Sequence, residues 1–390
     1  MPSSRALDNR IDKVLAASLR GECVPWPSAW TSPQAALDLI ERTVYHGLTG
    51  LLVEREQLLE DWPSSVLATL RAQALARAMW ELRHRVVLGT LLTELATNGI
   101  TAVILKGTAL AYDLYNVPAL RARGDTDLLI KRSDLALARS LLAGLGFKRC
   151  DNSGGLATEF SLQEIWQMVS TDGTVHDIDL HWQALNLLAL EDTLSVADCF
   201  AHPMNLPRLC DAAFSMDRVL TLIHTALHRA VHITSPYFVG STAYYGGDRL
   251  IWAQDINLLA QSFSIADWRR LCEIAHAKGV EEVCASGLHL ARDRLGTGIP
   301  DFVWDALEVG GSESSATAYI LHVGQFARAW QEVRAIPGLS AKLRFVAGRM
   351  LPPAIFMRSK YPAMRDKPLA LLHLRRGAEL LRKRPGRSEN

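Results

Sequence analysis

The sequence predicts an α+β fold: a small mixed sheet, with its functional face on one side, held between helical segments. Three observations predict it. Residues 99–185 alternate short apolar, β-branched runs with stretches of helical period. Residues 1–98 carry caps and apolar stripes at helical spacing, and residues 186–390 return to that spacing. The expected divisions are therefore an N-terminal helical region (1–98), a central core (99–185) and a C-terminal helical domain (186–390).

Asp8 to Arg20 reads as a short amphipathic helix. Ser32 caps the next one, with Pro33 in its first turn and Leu37, Leu39, Ile40 and Val44 on one side. Ser64 or Ser65 starts a long helix through about Asn98, striped by Leu67, Leu70, Ala74, Leu75, Met79 and Leu82. Trp80, Arg83, His84 and Arg85 sit among these. The plain reading of that basic cluster is a solvated face, with contact to a substrate phosphate as the alternative.

Thr101 to Leu105, bounded by Gly99 and Lys106-Gly107, reads as a short buried strand. Gly107 and Thr108 then open a helical segment through Tyr115. A strand, a small-residue turn and a helix start make an anion site, because free backbone N–H groups and the positive end of the helix dipole point the same way. Next, Arg121-Ala122-Arg123-Gly124 leads into Asp125-Thr126-Asp127 and the apolar Leu128-Leu129-Ile130. Side chains alternate along a strand, so Asp125 and Asp127 share a face, roughly 6–7 Å apart at Cα. Two carboxylates so placed suit a hard cation, Mg²⁺ or Mn²⁺, which shares its remaining positions with phosphate and water. Phosphate turn and carboxylate pair read as one site.

Ser133 caps a helix through Leu145, with Leu135, Ala138, Leu141 and Leu142 inward, and Gly146-Phe147 ends it. Asn152-Ser153-Gly154-Gly155 is a turn. Ile165 to Ser170 and Thr174 to Trp182 read as strands joined by Thr171-Asp172-Gly173, a hairpin signal. In the second strand Val175, Asp177, Asp179 and His181 share one face; His176, Ile178, Leu180 and Trp182 share the other. Two carboxylates and a histidine backed by apolar residues favour a functional face. Either Asp177 or Asp179 can then serve as a third carboxylate.

Beyond residue 186 the chain reads as helical to its end. Asp217 caps a helix through His232, another follows Gly247-Asp248 through Ala260, and a third begins at Ile265-Ala266-Asp267. Thr234 to Gly247, with Pro236, Tyr237, Tyr244 and Tyr245, is a loop long enough to border a pocket. His224, His228 and His232 recur every fourth residue along one helix face. A zinc reading lacks the acidic residue of His-Glu-x-x-His, since Arg229 follows His228.

With 49% hydrophobic and 21% charged residues the chain is globular rather than disordered. A net charge of +1 gives no overall pull toward nucleic acid, the local exception being the basic tail from Lys342 to Arg387. Asp8, Asp12 and several arginines interrupt the first twenty residues, so these are no secretory signal. No uncharged apolar run approaches a membrane span. The six cysteines form no C-x-x-C pair, so reduced, mostly buried thiols in the cytoplasm are expected.

Three motifs go together: Leu105-Lys106-Gly107…Leu110, Arg121…Asp125-Thr126-Asp127-Leu128-Leu129, and Asp179-Leu180-His181-Trp182. They resemble the pattern of the bacterial uncharacterised nucleotidyltransferases, within the superfamily that includes DNA polymerase β. The likeness is specific over about residues 95–185 and thins to helical spacing and a few His and Asp positions by about 300. In nucleotide-sugar glycosyltransferases the apolar strand precedes Asp-x-Asp; here it follows.

The resemblance implies a polymerase β-like core in which Asp125, Asp127 and Asp179 are the catalytic metal ligands. It places Lys106, Gly107 and Thr108 on the triphosphate of the nucleotide. Lys106 departs from the plainest superfamily pattern but is expected in the closer family. Arg121 and Arg123 are phosphate-clamp candidates, since guanidinium geometry suits bidentate contact. His181 and His228 are expected to line the nucleotide site, and Asp255 stands at a family-like position without a readable role. The implied activity is metal-dependent transfer of a nucleoside monophosphate from an NTP, ATP by default, to an unidentified acceptor. The alternatives are a nucleotide-binding scaffold without turnover and kinase-like phosphotransfer.

Overall fold

The computed structural model describes residues 4–150, 160–233, 237–239, 242–244, 247–308, 317, 325–352, 354, 357–358, 361, 364 and 366–382. The N-terminal helices are α1 (Ser4–Leu19), α2 (Pro33–His46), α3 (Thr49–Glu54) and the long α4 (Ser64–Thr97). Ser32 caps α2 as its sequence position implies, its hydroxyl accepting from the Ala35 N–H, and Gly47 closes the helix at φ 73°. The face that α2 buries runs through Ala35, Leu39, Thr43 and His46, so Leu37 is left exposed.

The apolar stripe expected on α4 holds only at its start. Leu70 is buried, but Leu75, Met79 and Leu82 face outward. From the middle onward the inward positions are Glu81, His84, Leu88, Leu91, Leu92 and Leu95. The basic cluster splits accordingly. Arg83 and Arg85 are solvated, whereas His84 is fully buried and Trp80 turns to the sheet, its ring N–H donating to the Val175 carbonyl at 3.0 Å. Polar groups take these inward places because the sheet offers them partners.

The central elements are β1 (Val103–Ile104), α5 (Lys106–Asp113), β2 (Asp125–Leu129), α6 (Leu135–Gly144), β3 (Lys148–Cys150), β4 (Gln163–Val169) and β5 (Val175–His181). α7 (Val196–Ala201), β6 (Met204–Asn205) and β7 (Phe214–Ser215) follow. The seven strands form one mixed sheet in the order β3-β4-β5-β2-β1-β7-β6. This bears out the expected α+β class, a mixed sheet with flanking helices. β2 lies inside the sheet, antiparallel to β1 and parallel to β5, with Asp125 opposite Asp177 and Asp127 opposite Asp179.

Two expectations need correction. The strand expected over Thr101–Leu105 is paired only at Val103–Ile104, because Leu105 already caps α5. The chain beyond 186 is not wholly helical, since β6 and β7 add two strands at the β1 edge and, within the stretch expected as a loop, Tyr237–Val239 pairs with Thr242–Tyr244. Two-residue strands carry no period that a sequence reading can register. The Asn152–Gly155 turn lies outside the described residues.

The C-terminal elements are α8 (Arg218–His232), the hairpin β8 (Tyr237–Val239) and β9 (Thr242–Tyr244), then α9 (Leu250–Gln261), α10 (Ile265–Lys278), α11 (Glu281–Leu295) and α12 (Asp301–Glu308). Further helices span Gln325–Ala335, Leu339–Met350 and Leu369–Arg382. One buried cluster runs from Leu15 and Leu52 through Val103 and Leu129 to Ile223, Ile256 and Leu288. A second lies under the other face of the sheet, joining Leu88, Ile104, Leu128, Ala138 and Ile178. The face of β2 that carries Asp125 and Asp127 therefore looks toward α8 and α9. The face that carries Thr126 and Leu128 rests on α4. Cys199 and Cys284 are buried, Cys150, Cys210 and Cys272 half-buried and Cys23 exposed, so fewer thiols are buried than the sequence suggests.

Candidate active site

The β1–α5 turn begins the site. Lys106 adopts φ 53°, a left-handed conformation that a lysine takes up only where its surroundings impose it. That backbone brings its ammonium to 2.5 Å from Asp127 Oδ1. Gly107 follows, with the Arg121 guanidinium 3.2–3.4 Å from where a Cβ would stand, so a side chain there would press the guanidinium outward by a few tenths of an ångström. The Thr108 hydroxyl is turned into the protein, 3.0 Å from Thr126 Oγ1.

Asp127 is the hub. Besides Lys106 it meets His181 Nε2 at 2.8 Å on the same carboxylate oxygen. The Gln163 amide donates to Asp179 at 3.0 Å, and the Gln167 amide donates to Asp177 at 2.8 Å. Parallel pairing of β2 with β5 sets Asp127 beside Asp179, and His181 completes a group whose ligand atoms all lie within 4.8 Å of one another.

The electrostatics of this group call for a cation. Desolvation inside the cleft and the neighbouring Asp127 charge raise the two outer carboxyls, Asp125 and Asp179. Asp125 is pushed up to about 6 by burial and then by the Asp127 charge. Asp179 is pushed up to about 7 by burial and then by Asp127 and Asp125. At Asp127 burial also acts upward, but the Lys106 ammonium and the His181 hydrogen bond outweigh it and hold the carboxyl well below the usual range. One ammonium thus faces several carboxylates that repel one another, and the oxygen donors suit a divalent cation.

A cleft of about 300 Å³ opens on this group. Lys106, Gly107, Asp125, Asp127 and the Arg121–Gly124 segment form one wall; Thr225, His228, His232, Trp252 and Asp255 form the other. Of the residues singled out from the sequence, the cleft brings together Lys106, Gly107, Arg121, Arg123, Asp125, Asp127 and His228. Asp179 and His181 adjoin it through Asp127, and Thr108 does not line it.

The arginines are held differently from two free clamps. Arg121 donates through Nε and Nη2 to both oxygens of Asp255, at 2.7–3.0 Å. Arg123 donates to Glu81 at 2.7 Å and stands over the Trp80 and Tyr112 rings. The Tyr112 hydroxyl also donates to Glu81, and the Tyr115 hydroxyl donates to Asp255. Glu81 escaped the sequence reading, and Asp255 had no role in it. The available signal was a carboxylate amid the apolar residues of a helix, which is buried only with a partner.

On α8, His224 donates to the Ala184 carbonyl at 3.0 Å and is absent from the cleft lining. His228 and His232 reach the cleft with their rings 4.4 Å apart. Burial, reinforced by the nearby Lys106 ammonium, holds His228 well below the usual histidine range. His232 keeps an exposed surface, yet desolvation of its ring within the cleft, with Lys106 adding, lowers it to about 4. Both are neutral imidazoles, each offering one donor and one acceptor.

Among the described residues no helix is long and apolar enough to cross a membrane. Searches of curated proteins and of solved structures give no match. A family model described as "Uncharacterised nucleotidyltransferase" matches residues 32–296, more than half of the chain and the whole of the site. The chain belongs to this family of uncharacterised nucleotidyltransferases.

Proposed function

We propose that the protein is a metal-dependent nucleotidyltransferase with a polymerase β-like core in residues 99–185. It moves a nucleoside monophosphate from an NTP, ATP by default, to the hydroxyl or phosphate of an acceptor. One observation carries the reading: the Lys106-Gly107 turn, Asp125 and Asp127 share the wall of one cleft, with Asp179 beside Asp127. Asp125, Asp127 and Asp179 would hold the cation, which when bound would supply positive charge at the transferring phosphoryl group and lower the pKa of the attacking hydroxyl. Lys106 exchanges its place on Asp127 for the triphosphate, where its charge is matched. Arg121, its charge matched by Asp255, packs over Gly107 and fixes the start of α5 against the C-terminal helices. The walls from α8 and α9 limit water and orient the nucleotide, with His228 and His232 as neutral hydrogen-bonding groups. The chain's contribution is positioning and electrostatics. The free thiols of Cys23, Cys199, Cys210, Cys272 and Cys284 suit a reducing cytoplasm.

A specific observation favours a second ligand set. The donor atoms of Asp127, Asp179 and His181 all lie within 4.8 Å of one another, which would let His181 serve as a ligand in place of Asp125. An imidazole among carboxylates shifts preference away from Mg²⁺ toward softer divalent ions. Calorimetric titration of the protein with Mg²⁺ and Mn²⁺, before and after His181→Gln, separates the two sets.

The reaction is tested by incubating the protein with labelled NTPs, Mg²⁺ or Mn²⁺ and a cell extract. Label is expected to pass to an acceptor with release of pyrophosphate. ADP as the product would assign a kinase instead, and NTP binding without any product would assign a scaffold.

A further inference from the structure

The near-neutral total charge conceals an uneven distribution. Residues 342–387 hold thirteen Lys and Arg against two Asp and Glu, whereas the rest of the chain holds twenty-nine against thirty-nine. One end of the sequence is strongly cationic and the remainder net acidic, so an anionic surface attracts the tail and repels the rest.

The helix Leu339–Met350 stands at the start of this tail with an apolar face outward. Leu339, Leu343, Val346 and Met350 share one side of it and are 74%, 62%, 42% and 69% exposed, and Leu351 follows at 65%. The opposite side is the one the fold uses. Phe345 packs edge-on against Phe160, with ring centres 5.4 Å apart, and Ile336 and Ala341 join them. The outward row takes no part in that packing. Lys342 borders it, and Arg344 is exposed on the same helix. On the helix Leu369–Arg382, Leu371 and Leu374 are likewise exposed beside Arg375. None of these residues lines the cleft at Asp127.

We propose that this face docks on an anionic membrane surface, lying in the headgroup layer without crossing the bilayer. Charge and apolar row together identify the occupant. The concentrated positive charge selects anionic lipid headgroups. The leucine, valine and methionine side chains seat at the acyl boundary, as those of an amphipathic helix with basic flanks do. A nucleic acid would match the charge alone, since its phosphate-lined surface gives aliphatic side chains no apolar seat. Trp330, exposed on the preceding helix Gln325–Ala335, is of the amphipathic type that favours the headgroup level. Glu332 of that helix accepts from the Leu188 and Ala189 N–H groups at 3.0 and 3.3 Å, just beyond the strand of Asp179 and His181. Docking would therefore hold the sheet at a set orientation to the membrane. The face is independent of the reaction proposed above.

Flotation of the full chain with vesicles is the test, using phosphatidylcholine alone and phosphatidylcholine with about 30% phosphatidylglycerol. The chain is expected to bind the anionic vesicles at least about tenfold more tightly than the neutral ones. High salt should release it, because screening shortens the reach of the charges. Leu343→Glu and Met350→Glu each put a carboxylate into the apolar row and should weaken binding at least about tenfold. Both positions are exposed in the free chain, so circular dichroism should be unchanged. A chain that floats with neither vesicle overturns the proposal, as does one that floats equally with both. Binding to anionic vesicles that neither substitution weakens leaves charge attraction alone and overturns the seating of the row. Without flotation, binding of a single-stranded RNA undiminished by Leu343→Glu assigns the face to nucleic acid, and self-association lost in Leu343→Glu assigns it to a second copy. Either result overturns the membrane reading.

Discussion

Asp255 grips Arg121 with both carboxylate oxygens across 134 residues of sequence, tying α9 to the segment that precedes the Asp125 strand. The pair is buried and bidentate, and the Tyr115 hydroxyl donates to the same carboxylate. Its place above Gly107 makes it the link between the C-terminal helices and the Lys106-Gly107 turn.

Removing one partner of a buried pair costs far more than exposing a surface pair. Asp255→Ala is expected to destabilise the fold by about 3–5 kcal/mol, read from urea unfolding. Arg121→Lys should not preserve the site, because an ammonium lacks the planar fork. An unfolding midpoint unchanged by Asp255→Ala would remove the pair from this role.

The Lys106–Asp127 contact predicts two effects of opposite sign. In Lys106→Met the carboxylate cluster loses the ammonium that sits on Asp127, so Mn²⁺ should bind more tightly. The NTP loses its partner, and a charged hydrogen bond of that kind is worth about 1.5–3 kcal/mol, so NTP affinity should fall at least about tenfold. Calorimetry reads both. If the two affinities move together, Lys106 is not exchanging between carboxylate and triphosphate.

A pH signature follows from Asp179. Its folded pKa of about 7 lies above the ordinary carboxylate value of 3.8, so the folded chain keeps a proton that the unfolded chain has released. That contribution is present below about 4 and is lost as pH rises through about 7. Buried histidines such as His46 and His224, lowered to about 4, act in the opposite direction, so total stability hides the effect. The difference between variants exposes it. With chelator present, Asp179→Asn should gain stability relative to wild type as pH is raised from about 5 to about 8. A difference independent of pH would show that Asp179 is ionised in the metal-free protein.

Asp179 and Asp177 face the same way but have different neighbours. Asp179 stands beside Asp127 in the ligand group, whereas Asp177 is paired with Asp125 and engaged by Gln167. Asp125→Ala and Asp127→Ala are expected to abolish nucleotide turnover with the fold intact. Asp179→Asn should lower kcat at least about a hundredfold, the scale of losing one oriented electrostatic group. Asp177→Asn should cost about tenfold or less on that same scale. The larger loss at Asp177 would reverse the assignment of the third carboxylate.

What the sequence determined by itself is whatever short-range periodicity controls. Alternation along a strand put Asp125 and Asp127 on one face, and Asp177, Asp179 and His181 on another, before any fold was known. The caps at Ser32 and Asp217 are local in the same sense, each a side chain meeting a backbone N–H within three residues. The family motifs around Lys106, Asp125 and Asp179 added that these faces meet. Only the tertiary structure decided which strand lies beside which, and so which carboxylate stands next to Asp127. It also decided the partners of Arg121 and Arg123, which are Asp255 and Glu81 on helices far away in sequence. A buried charge is stable only when a second group, placed by the whole fold, arrives within hydrogen-bond reach. No local pattern encodes that arrival, and for the same reason the outer face of α4 read as core until the sheet was seen to take Glu81 and His84 instead.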